Sequence, residues 1–223
     1  NTRIEHDTMG EIAVPADHHW GAQTQRSLEN FRIGGQRQPR EIITAFACLK
    51  EACARANARC GKLTEAQAGA IAEACRQIRA GQWDEEFPLV VWQTGSGTQT
   101  NMNVNEVIAH LAAEQGVSLH PNDHVNASQS SNDTFPSALH IAAAMSVVQD
   151  VLPAARRLEA AFARLEAAYP DLIRIGRTHL QDATPLRFSQ EVSGWRELVA
   201  APCRMLEAAL PELERLAIGG TAV

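Results

Sequence analysis

The sequence predicts an all-α fold, in which a loop-rich helical domain precedes part of a bundle of long helices. Aromatic residues make up only 5% of the chain while alanine is abundant, which favours helices that pack closely through small side chains. Beyond residue 40, most apolar residues recur at helical spacing. Residues 9–15 have the pattern of a short strand pair, so we expect at most one small β-hairpin, near the N-terminus.

Six helices are predicted in chain order. The first carries an apolar stripe along one face, and in the second Thr64 and Gln67 fit a capping box. These two should form an antiparallel hairpin, while Pro202 lies inside the last helix and should kink it. The predicted ranges are 41–60, 65–80, 104–114, 136–148, 151–168 and 186–216. The expected buried stripes are Ile42, Phe46, Leu49, Cys53 and Ala56 in the first helix, and Leu152, Ala155, Leu158, Phe162 and Leu165 in the fifth.

A change in organisation near residues 133–136 predicts two domains. Before it the elements are short and separated by loops, and after it they are long helices. We therefore expect a helical N-terminal domain over residues 1–134 and the first part of a helix-bundle domain over residues 135–223.

The composition excludes several classes of protein. With 45% hydrophobic and 21% charged residues the chain is ordinary for a soluble globular protein, and its net charge of −6 argues against nucleic acid or an anionic membrane as a partner. We expect no apolar run long enough to span a membrane, and residues 1–6 show no apolar signal-peptide core. A cytoplasmic protein is therefore expected.

The cysteines predict neither a disulfide framework nor a metal centre. Their number is odd and no two of them form a C-x-x-C pair. Four of them lie in helical patterns, on or near the apolar face, so we expect reduced and buried thiols, and we expect no metal or other cofactor. The five cysteines are Cys48, Cys53, Cys60, Cys75 and Cys203.

Two polar loops lead into predicted helix N-termini. In residues 92–103, glycines that permit tight turns stand among hydroxyl and amide side chains, and residues 126–133 form a second such cluster. A helix N-terminus of this kind binds a carboxylate or phosphate through backbone N–H groups, without Lys or Arg. The alternative is a pair of solvated turns with ordinary caps. Between them, His120-Pro121-Asn122-Asp123 reads as an X-Pro turn or as a small anion site.

A third polar loop, residues 176–185, lies between two long helices. It places a hydroxyl, an imidazole, an amide and a carboxylate within five residues. His179 is suited to act as a general base, or to activate a water, near neutral pH. A solvated connector with a chance histidine is the alternative. Taken together, the three loops suit proton chemistry on a small dicarboxylate.

Five motifs extend this interpretation through a family resemblance that runs from Gly10 to Val223. They comprise residues 15–17 together with 20–27, and residues 92–103, 120–123, 128–133 and 176–185. With these motifs the chain resembles the N-terminal half of a class II fumarase, in the fumarase/aspartase superfamily of helical lyases. That resemblance implies reversible, metal-independent hydration of fumarate to L-malate through a carbanion-like intermediate, in the tricarboxylic acid cycle. It also implies a homotetramer built around long helices, in which each active site takes loops from three subunits.

The resemblance also implies roles for particular residues. His179 matches the catalytic histidine that activates water. The substrate carboxylates would be held by Ser96, Gly97, Thr98, Ser130, Ser131, Asn132 and Thr178. A second, peripheral dicarboxylate site would be formed by His120, Pro121, Asn122 and Asp123.

Two alternatives remain open. An aspartase-type ammonia-lyase would typically carry Gln in place of His179 and Asn in place of His120, so the two histidines favour hydration. A noncatalytic helical fragment that only assembles or binds a dicarboxylate is the other. Because the family's mobile catalytic loop has no counterpart in these 223 residues, we expect them to be inactive alone.

Overall fold

The computed structural model describes residues 1–220 and confirms the all-α class. Within them lie seven α-helices and two small antiparallel hairpins. The second hairpin, over residues 173–187, corrects the expectation of one hairpin at most. The strands are β1 Thr2–Asp7, β2 Gly10–Pro15, β3 Ile173–Thr178 and β4 Gln181–Arg187. The helices are α1 Ala22–Asn30, α2 Arg40–Arg59, α3 Glu65–Arg79, α4 Thr98–Glu114, α5 Ser131–Ser146, α6 Leu152–Ala168 and α7 Phe188–Leu213.

Backbone contacts divide the chain into two compact units. The first comprises Asn1–Ala142 with the segment that begins at Arg215, and the second comprises Ala143–Glu214. The domain division expected at residues 134 and 135 stays a prediction. Its second domain extends to residues 221–223, which lie outside the described residues.

The core of the first unit lies among α2, α3 and α4. Phe46, Ile71 and Ile108, one from each helix, have no exposed surface, and such burial is the main stabilising contribution to a fold of this size. The predicted capping box at the start of α3 is confirmed, because Thr64 Oγ1 accepts from Gln67 N and Gln67 Oε1 accepts from Thr64 N.

The buried face of α2 differs from the predicted stripe in its second half. Lys50, Ala54 and Asn57 are buried, whereas Cys53 is half-buried and Ala56 is exposed. The reason is a polar segment, residues 126–129, that accepts hydrogen bonds from Lys50 and Asn57. The second half of this face therefore packs on a loop to which α2 is hydrogen-bonded, rather than on apolar side chains.

A buried carboxylate joins α1 to α4. Glu106 accepts hydrogen bonds from the backbone N–H groups of Gly21, Gln23 and Thr24, at 2.8–3.1 Å, and from the Thr24 hydroxyl. A carboxylate at a helix N-terminus satisfies N–H groups that have no partner within the helix. Glu106 thus caps α1 from a neighbouring helix.

The second unit pairs α6 with α7, but its predicted apolar stripe is largely unburied. Leu152 is the one residue of α6 that is buried, and Leu158 is 47% exposed. Phe162 meets Trp195 of α7 with ring centroids 6.1 Å apart. Pro202 lies inside α7 as the sequence predicts. The helix that the periodicity predicts is confirmed, but periodicity alone does not show whether a second helix covers the apolar face.

One helical stretch of the described residues, Ser131–Ala168, is long and apolar enough to cross a membrane by length and composition alone. This corrects the expectation that no segment meets those criteria. An apolar helix of a soluble protein meets them as well, so they are weak evidence for a membrane span.

The cysteines are all free thiols. Cys75 and Cys203 are buried as expected, and burial strongly raises the pKa of the Cys75 thiol. Cys48 and Cys53 are half-buried, and Cys60, which follows the last residue of α2, is exposed.

Replacing the capping carboxylate tests its contribution. We expect Glu106→Ala to lower the free energy of unfolding by about 3 kcal/mol, because buried N–H and O–H donors lose their acceptor. Glu114→Ala, on the same helix but with a side chain 61% exposed, should change it by less than about 0.5 kcal/mol. Urea unfolding followed by circular dichroism measures both. Equal effects of the two substitutions would contradict the capping role.

Candidate functional site

Three hydroxyl groups meet in the first unit where α4 and α5 begin. Thr98 Oγ1 lies 3.0 Å from Ser96 Oγ and 2.9 Å from Ser131 Oγ. Thr98 is the first residue of α4 and Ser131 is the first residue of α5. We call Ser96, Thr98 and Ser131 the hydroxyl cluster. The structure thus brings together residues of two loops that are more than thirty positions apart in the sequence.

The first of these loops depends on Gly97 and Gln93. Gly97 is the N-cap of α4 and has a φ of 71°, in the left-handed region that favours glycine. A Cβ at this position would lie 2.3 Å from Cγ of Phe135. Gln93 Oε1 accepts from the backbone N and the hydroxyl of Thr100, so a side chain before the helix caps its first turn. These contacts start α4 six residues earlier than the sequence predicted.

Capping also sets the start of α5, at Ser131 rather than at Pro136. Ser130 Oγ accepts from Asn132 N at 3.2 Å, and Asp133 Oδ1 accepts from Ser130 N at 3.2 Å. This reciprocal arrangement resembles a capping box with aspartate in the third position. Ser130 therefore caps α5 through its side chain. Asn132 is exposed, and the hydroxyl of Ser131 belongs to the hydroxyl cluster.

The electrostatics of the hydroxyl cluster favour an anion. The N-terminus of an α-helix carries a partial positive charge and backbone N–H groups without helical acceptors. Two such termini meet here, and the side chains between them donate hydrogen bonds without carrying charge. A carboxylate could accept from these hydroxyls in place of the bonds that they make to one another.

In the second unit, His179 occupies the tip of the hairpin β3–β4. Thr178 pairs with Gln181, so His179 and Leu180 form a two-residue turn. Their φ values are 51° and 63°, as a type I′ turn requires, although such turns favour Asn and Gly. Leu180 is 93% exposed, so it gains no burial in return. This conformation is energetically unfavourable for a residue other than glycine, and residues that adopt it concentrate at functional sites.

The flanks of the turn hold it in register. Arg177 pairs with Asp182 across the hairpin, with Nε and Oδ1 3.2 Å apart. The pairing shifts between Ile175 and Arg177, and a Cβ on Gly176 would lie 2.8 Å from the carbonyl oxygen of Thr184. The predicted polar loop is therefore a bulged hairpin that presents the exposed Thr178 and His179 at its tip.

The residues predicted to form a second dicarboxylate site make a tight turn in the first unit. His120 Nδ1 lies 3.2 Å from both the backbone N and Oδ2 of Asp123, and His120 N donates to His124 Nδ1 at 2.8 Å. His120, Asn122 and Asp123 are exposed, and Pro121 opens a short π-helical turn. Their side chains are thus held close together by local contacts.

His120, Pro121 and Asn122 also line a cavity of about 590 Å³. Glu5, Asp7 and Glu106 contribute carboxylates to the same cavity, which opposes the binding of an anion. Asp7 is paired with Arg26, and this guanidinium holds the pKa of Asp7 below its usual range. Glu5 is paired with Arg3, and Glu106 accepts hydrogen bonds at the N-terminus of α1, so these charges are partly compensated.

No group of three or more His, Cys, Asp or Glu side chains in residues 1–220 could hold a metal ion. The hydroxyl cluster is built from neutral oxygen donors instead.

Sequence reasoning missed the residues that support the site. The sequence did not point to Gln93, Lys50 or Glu106. Each of them makes a hydrogen bond to a loop or to the start of a helix, and that segment contains a predicted site residue or one of the family motifs. The sequence does place Lys50 on the buried face of α2, because it lies four residues after Phe46.

A protein-family model described as a lyase matches residues 10–223, and the chain belongs to this family of lyases. Its curated relatives include class II fumarate hydratases. The chain is 56% identical to that of Bacillus cereus and 52% identical to that of Bacillus subtilis, each over 99% of this chain and 49% of the relative. The chain therefore spans about half the length of the curated relatives it matches.

Solved structures are similar to this chain as well. The class II fumarase of Schistosoma mansoni superposes with a TM-score of 0.95 at 43% identity, over 100% of this chain and 48% of that one. A fumarate lyase:delta crystallin of Brucella melitensis gives 0.93 at 38% identity, over 99% and 53%. The resemblance to class II fumarases that the motifs predicted is confirmed.

The geometry at Gly97 generates a prediction with a matched control. Gly97→Ala should lower the free energy of unfolding by roughly 3 kcal/mol, from the left-handed backbone and the clash with Phe135. Gly95→Ala lies in the same loop, where a Cβ meets nothing within 4 Å, and should have little effect. Urea unfolding of the two variants compares them. A Gly97→Ala variant as stable as Gly95→Ala would show that the loop does not need this conformation.

Proposed function

We propose that the full-length protein containing this chain is a class II fumarate hydratase, which converts fumarate reversibly to L-malate. The observation that carries the proposal is the hydroxyl cluster, where two helix N-termini and three neutral hydroxyls converge. The similarity to class II fumarate hydratases supports the same substrate class. We further propose that the protein is cytoplasmic and homotetrameric, as the resemblance implies.

The hydroxyl cluster would hold one carboxylate of the substrate. Thr98 and Ser131 would donate to the carboxylate oxygens, and Gly97 lets the chain turn closely beneath it. Ser130 and Asn132 flank the same helix start and Thr178 lies beside His179, so we assign them to substrate binding as well. These contacts would create the local positive potential that a chain of net charge −6 needs for an anionic substrate.

We assign His179 as the base. It would take a proton from a water molecule, whose oxygen then bonds to one alkene carbon of fumarate. The alkene electron pair moves to the other carbon, where the neighbouring carboxylate stabilises the carbanion-like intermediate, and a proton from an acid group completes malate. The resemblance assigns that acid to the loop that these 223 residues lack, so we propose that they are inactive alone.

The turn at His120, Pro121, Asn122 and Asp123 remains our proposed second dicarboxylate site. Its exposed side chains and close local contacts support ligand access, while the carboxylates of the adjoining cavity oppose it. The proposal for the hydroxyl cluster does not depend on this second site.

The base assignment predicts a loss in turnover. In the full-length protein, His179→Asn should lower kcat for fumarate hydration at least about 100-fold, because a positioned base typically contributes that much, while KM changes little. His140→Asn, at a histidine of α5 that lies nine residues after Ser131, should leave kcat unchanged. Initial rates from fumarate absorbance measure both. Unchanged turnover in His179→Asn would remove this residue from the mechanism.

The carboxylate contact predicts a loss in binding. Thr98→Ala in the full-length protein should raise KM for fumarate about tenfold through the loss of one charge-assisted hydrogen bond. Thr98→Ser keeps the hydroxyl and should restore a KM close to that of the wild type. A Thr98→Ala variant with the wild-type KM would argue against the contact.

A further inference from the structure

Lys50, one of two lysines in the chain, lies in the first unit with no exposed surface. Its Nζ donates to Asn126 Oδ1 at 2.8 Å and to Gln129 Oε1 at 2.9 Å. A buried amine is stable only where its donors find acceptors, and here both acceptors belong to one loop. Two turns further along the same face of α2, Asn57 Nδ2 donates to the carbonyl oxygen of Ala127 at 2.9 Å. Two polar residues of α2 thus hold the segment that leads into α5.

The held segment has a strained conformation. Ser128, between the two acceptors of Lys50, has a φ of 58°, which is unfavourable for a residue other than glycine. Such a conformation persists where the surroundings impose it. The contacts from α2 fix residues 126, 127 and 129 around it, and Ser130 and Ser131 follow directly.

The same contacts extend to the helix that carries Thr98. Asn126 Oδ1 also accepts from Asn101 Nδ2 of α4 at 3.1 Å, and Asn101 Oδ1 accepts from Thr134 Oγ1 of α5 at 3.1 Å. A chain of hydrogen bonds therefore runs from Lys50 through α4 to α5. It links the two helices one turn inside the ends that meet at the hydroxyl cluster.

The charge state of Lys50 is compatible with this arrangement at neutral pH. Burial lowers its pKa to about 7, while Cys53, Cys75 and Asp133 around it oppose the shift. Both the ammonium and the neutral amine have the two N–H groups that the two acceptors require. Because the unfolded chain keeps this lysine charged up to its ordinary pKa of 10.5, its contribution favours folding increasingly as pH rises from about 7 to 10.5.

We propose that Lys50 is a positioning residue, which fixes the loop of residues 126–130 so that Ser131 stays beside Thr98 for carboxylate binding. The consequence for substrate binding rests on the proposed function, whereas the ordering of the loop does not. Lys50 acts through Asn126 and Gln129 and does not touch the substrate.

The test compares Lys50→Met with Lys62→Met, the exposed lysine, in the full-length protein at a temperature where both are folded. Lys50→Met should raise KM for fumarate about tenfold, with kcat changed less than about threefold, because Ser131 is displaced while the base is not. Hydrogen exchange in peptides covering residues 126–134 should become at least about fivefold faster. Lys62→Met should change neither quantity. A loss of folded protein alone would lower the apparent kcat and leave KM unchanged, so the two readouts separate positioning from stability.

Unchanged hydrogen exchange in residues 126–134 and an unchanged KM in the folded Lys50→Met variant would overturn the proposal. If the wild-type protein does not hydrate fumarate, the proposed function is wrong, and hydrogen exchange alone decides whether Lys50 orders the loop. If Lys50→Met does not fold, a second variant, Asn126→Ala, removes the half-buried side chain whose oxygen accepts from both Lys50 and Asn101. It should produce the same rise in KM and in the rate of hydrogen exchange. Normal values in that variant would likewise contradict the proposal.

Discussion

The contact between Thr98 and Ser131 is the constraint on which the rest of the site depends. It joins the first residues of two helices whose N-termini would otherwise face solvent separately. A single helix N-terminus binds anions weakly. Two helix N-termini with hydroxyls between them favour a negatively charged ligand and also orient the hydrogen bonds that it accepts. The left-handed Gly97 and the capping residue Ser130 are local means of bringing those ends to this point.

The supporting structure beneath that contact is polar. Apolar packing among α2, α3 and α4 stabilises the first unit, but it does not specify the position of a loop to a fraction of an ångström. Hydrogen bonds from Lys50, Asn57 and Asn101 provide that specification, because each has a fixed length and direction. In the N-terminal part, Glu106 fixes the start of α1 by the same principle. Buried polar groups in this fold therefore set the geometry that apolar packing leaves open.

The sequence predicted the helical class and the capping box of Thr64, because periodicity and capping are local. The assignment of Ser96, Thr98 and Ser131 to substrate binding comes from the family resemblance and stays a prediction. The sequence placed the starts of α4 and α5 too late, since the caps depend on a distant side chain at Gln93 and on a serine that could equally have belonged to a turn. It read the segment around His179 as a loop, because a two-residue turn of His and Leu lacks the usual Asn-Gly signal. Lys50 was missed because pairwise burial of polar groups is a tertiary property.

The most direct test of the account is the ultraviolet absorbance of fumarate over time with the full-length protein, with and without ammonium. Loss of absorbance without ammonium is the result that hydration at the hydroxyl cluster and His179 predicts. Loss only with ammonium would contradict the account in favour of an ammonia-lyase. No loss in either condition, from protein shown to be folded, would mean that the site binds a dicarboxylate at most and does not hydrate it.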